Sequence, residues 1–155
     1  MEKRRIKVMF DTNILVDVLC PDGRPSSTAS ATVFRAVKEG LLEGEISTQS
    51  IIDAAYVASQ TEGGRLPVFK SKMLELTNYV NVDGLNSFSV YAALQRDSLD
   101  FEDDALYEHA YETGCDVFLT SDKDFIKQHR GEDERIPFFT PEEFFAKLTG
   151  QTSAQ

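Results

Sequence analysis

Four aspartates stand where their type and spacing permit metal chemistry: Asp11, Asp53, Asp104 and Asp122. Asp11 ends the apolar run 5–10, and Asp122 ends the apolar run 116–120. Asp53 falls about two turns into the helix expected after the short strand 44–47, and Asp104 falls near the start of the helix expected over 101–113. A parallel sheet can bring all four to one edge. Carboxylates gathered in this way repel, so they need cations. Mg²⁺ and Mn²⁺ suit them, because both prefer oxygen ligands and keep part of their water. Held between carboxylates, such ions activate water and stabilise an in-line phosphoryl displacement; two ions about 3.5–4 Å apart do both.

Simpler roles compete with this reading. Acids in a first helical turn suit the helix dipole, and Glu102 and Glu108 read that way. An Asp after a strand often serves a turn or cap. Several acids at expected strand ends together weigh toward a site. His109 and His129 need no chemical role, and His109 reads as a surface or helix-face residue.

Elements that would position these groups follow from the pattern. The run 5–10 is short, apolar and β-branched, as a buried strand is. Residues 12–20 show helical spacing through Ile14, Leu15, Val18 and Leu19 and stop near Pro21. Residues 21–27 form a loop, with Ser26 or Ser27 as cap of a helix over about 28–39 that stops at Gly40. A strand and helix follow over 44–60, with Ile51, Ile52, Ala55 and Tyr56 recurring on one face. A helix over 67–79 begins at Pro67, and a strand over 79–82 follows. The helix over 87–97 sets Phe88, Tyr91, Ala92 and Gln95 in register. The helix over 101–114 stops at Gly114, and a strand over 115–121 and a short helix or turn come next. The strand 136–139 and the helix 140–150, capped by Thr140 with Pro141 behind it, close the domain. Residues 151–155 read as a frayed tail. Short apolar strands alternating with helices imply a parallel sheet covered on both faces, with its site outside the carboxyl ends of the strands.

With 155 residues the chain fits one domain, 1–150, with one core. Lys plus Arg number 16 and Asp plus Glu 26, a net charge of −10, which argues against nucleic-acid binding through charge alone. It does not argue against acids that hold metal, because a bound cation reverses the local field. No apolar stretch approaches the roughly 20 residues of a membrane span. The basic start lacks the apolar segment of a signal peptide. Cys20 and Cys115 fit no metal or redox spacing and read as buried thiols. A cytoplasmic protein is the expectation.

The segments "FDTNILVDVL", "STQSIID", "DDALYEHAYETGCDVFLTSDKDF" and "IPFFTPEEFFAKL" resemble a PIN domain. The resemblance runs from about Ile6 to Leu148 and is carried mainly by strand-DTN-helix at the start and by "DAL" followed by "TSDKDF". It implies a three-layer α/β/α sandwich with a central parallel sheet and a Mg²⁺- or Mn²⁺-dependent nuclease that cuts RNA. The family's acids match Asp11, Asp53, Asp104 and Asp122 here. Asn13 and Thr120 match the polar residues that brace the acids, and Asp124 matches an acid that caps or braces. Two positions depart from the pattern. Asp53 stands where the family usually has Glu, one methylene longer. The last motif reads Thr-Ser-Asp where many toxin members have Thr-Arg-Asp, which draws the chain toward the broader PIN-like set.

Asp100 and Asp103 stay open; Asp103 adjoins Asp104 and points about 100° away on an α-helix. Lys123, Lys127 and Arg130 follow the fourth acid and are candidates for touching the RNA backbone. The resemblance also implies an antitoxin-like partner and a homodimer. The alternative is a catalytically weak or inactive PIN-like binding module, toward which Asp53 and the net charge point and against which the four acids stand. A phosphatase would want a second Asp at position 13, which is Asn13, and a phospho-acceptor receiver would want paired acids before the end of "KVMF".

Overall fold

The computed structural model describes residues 3–61, 64–98, 100–129 and 134–150. Five runs pair in parallel as strands β1 (Ile6–Phe10), β2 (Leu42–Ser47), β3 (Val80–Asp83), β4 (Val117–Leu119) and β5 (Phe138–Phe139), in the order β3-β2-β1-β4-β5. The helices are α1 (Thr12–Leu19), α2 (Ser27–Lys38), α3 (Thr48–Gln60), α4 (Leu66–Leu76), α5 (Ser87–Leu94), α6 (Phe101–Glu112), α7 (Lys123–His129) and α8 (Pro141–Leu148). The three-layer α/β/α sandwich with a parallel sheet expected from the sequence is the fold. The expected tail over 151–155 lies outside the described residues.

Strand β1 sits at the centre, and Val8, Met9 and Phe10 are fully buried because helices cover both faces. Alternation sorts its side chains. Val8 and Phe10 join a core with α1, α2, α3, α4 and Phe144 of α8. Met9 joins the other core with Leu106, Tyr107 and Ala110 of α6 and Phe125 and Ile126 of α7. β1 pairs with β2 on one side and β4 on the other, so chain order reverses at this seam. A crevice opens at such a reversal, outside the carboxyl ends of the strands. Asp11 and Asp122 follow the two strands that flank it.

Two helices turn a different face inward than the large residues suggest. α3 buries Ser50, Ala54 and Ala58 and leaves Ile52 and Tyr56 exposed. α5 buries Ser89 and Ala93 and leaves Phe88 and Tyr91 exposed. The reason is close approach: α3 packs along α1 and α5 along α6, and small side chains let the axes come near. Close approach also explains Gly44 in β2, where a Cβ would meet Val80 Cγ1 at 3.0 Å and Phe10 Cε2 at 3.1 Å.

Tyr107 joins α6 to the sheet. Its ring stacks on Phe138 at 4.7 Å, and its hydroxyl accepts the Arg135 N–H at 2.9 Å and the Ile136 N–H at 3.0 Å. Tyr107→Phe keeps the ring and leaves those backbone donors unpaired. We expect a loss of about 1–3 kcal/mol in chemical denaturation; unchanged stability would show that the hydroxyl carries no load.

Candidate active site

The acids meet in one cleft of about 620 Å³ lined by Asp11, Asn13, Asp53, Asp100, Glu102, Asp103 and Asp122, together with Thr12, Ile52, Tyr56 and Val57. That volume falls in the range of ligand and substrate sites. Asp11 caps α1: its Oδ1 accepts the Thr12 N–H at 2.6 Å. Its Oδ2 accepts the Thr120 hydroxyl at 2.8 Å. Thr120 Oγ1 in turn accepts the Asp122 N–H at 3.1 Å, and Asp122 Oδ1 accepts the Phe125 N–H of α7 at 3.0 Å. One threonine therefore joins the acids of two strands. On the other wall, Ser47 caps α3, and the Thr12 hydroxyl donates to Ser50 Oγ at 3.0 Å, which fixes α3 against α1. Asp53 is held by Gln49 Nε2 at 2.9 Å.

The two adjacent acids of α6 lie in different surroundings. Asp104, expected as the third acid, is 1% exposed and lies 3.6 Å from Arg96 Nη1 and 3.4 Å from His129 Nε2, away from the cleft lining. Adjacent residues on a helix point about 100° apart, and of this pair only Asp103 lines the cleft. Carboxylate oxygens of Asp100, Asp103 and Asp122 lie within 4.8 Å of one another. An all-oxygen set of this kind fits a hard divalent ion such as Mg²⁺ or Mn²⁺. Two further acids face the cleft: Asp100, which the sequence left open, and Glu102, which read as an acid suited to the helix dipole. Their signal was present in "DFEDD", where positions 100, 102 and 103 precede or open the helix.

Other expectations divide. Asn13 lines the cleft but is exposed, and its carbonyl accepts from Arg24 at 3.4 Å. Asp124 is exposed in the first turn of α7. Lys123 and Lys127 line a separate hollow with Ile126, Thr140 and Glu143. Arg130 lies outside the described residues. Glu108, read as an acid that suits the helix dipole, is 8% exposed and paired with Arg96 at 2.7 Å and Arg135 at 2.5 Å. His109, read as a surface residue, is 2% exposed, and burial lowers its pKa.

The electrostatics are those of a site short of positive charge. Among the described residues, no Lys, Arg or His lines the cleft. Burial pushes the Asp11 carboxyl from its ordinary 3.8 up to about 6, although Thr120 and Thr12 pull it down. Burial and a hydrogen bond shared with Asp53 push Glu102 up to about 7. Burial, Asp11 and Asp100 push Asp103 up to about 10. Within β2, Glu45 rises to about 7 through burial and Asp83, despite Lys7 Nζ at 3.5 Å.

Each of these acids binds its proton more tightly folded than unfolded. Their contribution to stability is therefore fully present below the unfolded pKa near 4 and is lost as pH rises through 6 to 7 for Asp11, Glu45 and Glu102, and higher for Asp103. Glu108 runs the opposite way: against burial, Arg135 and Arg96 lower its pKa, so its contribution is lost on acidification. We expect the metal-free protein to melt several degrees higher near pH 5.5 than at pH 8, at about 2–4 °C per kcal/mol for a chain of this size. Thermal melts in chelator check this; a melting temperature that falls between pH 8 and 5.5 would contradict the assigned burial of charge.

The sequence matches the family model described as PIN domain over residues 7–124, most of its length. No curated protein matches. Solved structures share the fold at low identity. VapBC2 from Rickettsia felis, bound to a DNA fragment from its promoter, is 12% identical with a TM-score of 0.61, covering 87% of this chain and 98% of that one. A toxin–antitoxin complex from Klebsiella pneumoniae is 17% identical with a TM-score of 0.60, covering 86% and 97%. Mycobacterium tuberculosis VapC20, a Sarcin-Ricin loop cleaving toxin, is 15% identical with a TM-score of 0.60, covering 78% and 94%. Strand-end acids, a reversal of strand order beside them and the family match agree: the chain belongs to the PIN domain family.

Proposed function

We propose that this chain is a divalent-metal-dependent endoribonuclease that hydrolyses RNA phosphodiester bonds with water. The observation that carries the proposal is the cluster of Asp100, Asp103 and Asp122 oxygens within 4.8 Å, with Asp11 lining the same cleft. Asp11, Asp103 and Asp122 would hold Mg²⁺ or Mn²⁺, aided by Asp100; Asp53 and Glu102 form a further pair of oxygen donors. When bound, the ion supplies positive charge for the scissile phosphate and a water of lowered pKa.

The remaining work belongs to the chain's own groups. Thr120 and the Thr12 N–H orient the two oxygens of Asp11. The Phe125 N–H orients Asp122. The Asp103 carboxyl keeps its proton at neutral pH when no cation is near, and that proton must leave before all the acids act as ligands. With no cationic side chain in the lining, the cleft repels phosphate until its charge is offset, which makes RNA binding conditional on metal. Lys123 and Lys127 contact RNA leaving past Asp122 along α7.

A toxin role with an antitoxin-like partner is supported by the toxin–antitoxin complex that shares the fold, and RNA as substrate by the Sarcin-Ricin loop cleaving toxin that also shares it. A homodimer and a cytoplasmic location belong to the same reading. Among the described residues, no helix is long and apolar enough to cross a membrane.

Cleavage of a mixed RNA pool in Mn²⁺ tests the reading. Asp103→Asn should lower the rate at least about 100-fold, the upper range for losing even an outer partner of a metal ligand, while raising the melting temperature of the metal-free protein. Asp104→Asn should keep most of the activity. Loss with Asp104→Asn and retention with Asp103→Asn would restore the expectation from sequence and reject this site. No metal-dependent cleavage by the wild type would favour a binding module.

A further inference from the structure

One wall of the cleft is apolar. Ile52, Tyr56 and Val57 line it beside Asp53, and they are 63%, 67% and 39% exposed. These residues are on the outer side of α3 because Ala54 and Ala58, both fully buried, take the inner side. The wall is set in place with the acids. Ser47 caps α3, Ser50 receives the Thr12 hydroxyl, and Thr12 follows Asp11 directly. A large aromatic ring kept in water beside six carboxyl groups has no packing reason to be there. The lining offers phosphate nothing but what the acids hold, and it offers a base a flat ring.

We propose that Tyr56, backed by Ile52 and Val57, is the base-stacking platform of this cleft. The nucleotide whose phosphate lies over the carboxylates rests its base on the Tyr56 ring. Tyr56 follows Asp53 by three positions, one helical turn on, so its ring neighbours the carboxylate wall in the same lining. Only an unpaired base presents its face, so the platform selects single strands and loops over duplex. Stacking tolerates every base, because each has a π-face. The site thus reads strandedness more than sequence. This inference rests on the nuclease reading for the place of the phosphate.

The chain contains no Trp, so Tyr56→Trp introduces a single indole at the wall. Tyr91→Trp on exposed α5, outside the cleft lining, is its control. The probe is a phosphorothioate-linked single-stranded RNA octamer in Mg²⁺. It should quench Tyr56→Trp and leave Tyr91→Trp unchanged, and an abasic octamer of equal charge should quench neither. In cleavage assays Tyr56→Ala should lower kcat/KM by about 5- to 150-fold, mainly through KM, and Tyr56→Phe should recover the loss by keeping the ring. Equal quenching by the abasic octamer would overturn the proposal. So would an emission shift that depends on protein concentration without RNA, which would give the wall to a second copy. Cleavage without quenching rejects the platform alone; quenching without cleavage by any variant rejects hydrolysis and keeps the platform.

Discussion

Everything in this molecule is arranged around a repulsion it does not resolve by itself. Asp11, Asp53, Asp100, Glu102, Asp103 and Asp122 face one cleft, with no positive side chain among the described lining residues. Buried like charges either take up protons or recruit a cation. The raised pKa values of Asp11, Glu102 and Asp103 show the first outcome. The close approach of three carboxylates suits the second. On the proposed reading, proton and metal compete for the same oxygens, and the stability of the fold is tied to which of them wins.

The sheet bears this cost because it grips the acids by the backbone. Asp11 and Asp122 leave adjacent strands at the seam where chain order reverses, and the Thr120 side chain bonds to both. Tyr107, one turn along α6 from Asp103, anchors that acid-bearing helix in the other core. Folded proteins keep only about 5–15 kcal/mol in hand. A cluster of raised carboxyls is a substantial draw on that margin, and sites that trade stability for activity commonly show it.

The fold was legible because its signals are local: apolar runs bounded by caps, Pro67 and Pro141 at helix starts, and Gly114, at φ +74°, as a stop. Asp11, Asp53 and Asp122 were legible as cleft residues for the same reason, standing at strand ends or within a capped helix. The choice between Asp103 and Asp104 was not. It turns on the phase of one helix, and two adjacent acids give the same local signal. That phase is decided by distant groups, Arg96 and His129 on one side and Tyr107 against Phe138 on another. The outward face of α3 was hidden for a related reason. Hydrophobic spacing marks Ile52 and Tyr56 as core, yet close packing with α1 favours the small Ser50, Ala54 and Ala58.

The cleft has two chemical walls, one of carboxylates and one of apolar side chains around Tyr56. We propose the first as the seat of a cation and the second as a rest for a base. The claim beneath both is that a divalent ion displaces protons from the acids. Calorimetric titration of the wild type with Mn²⁺ at pH 7.5, in two buffers of different ionisation enthalpy, measures this directly. Our account predicts saturable binding with release of about one proton or more per ion, chiefly from Asp103. Binding with no proton release, or no binding at all, would contradict it.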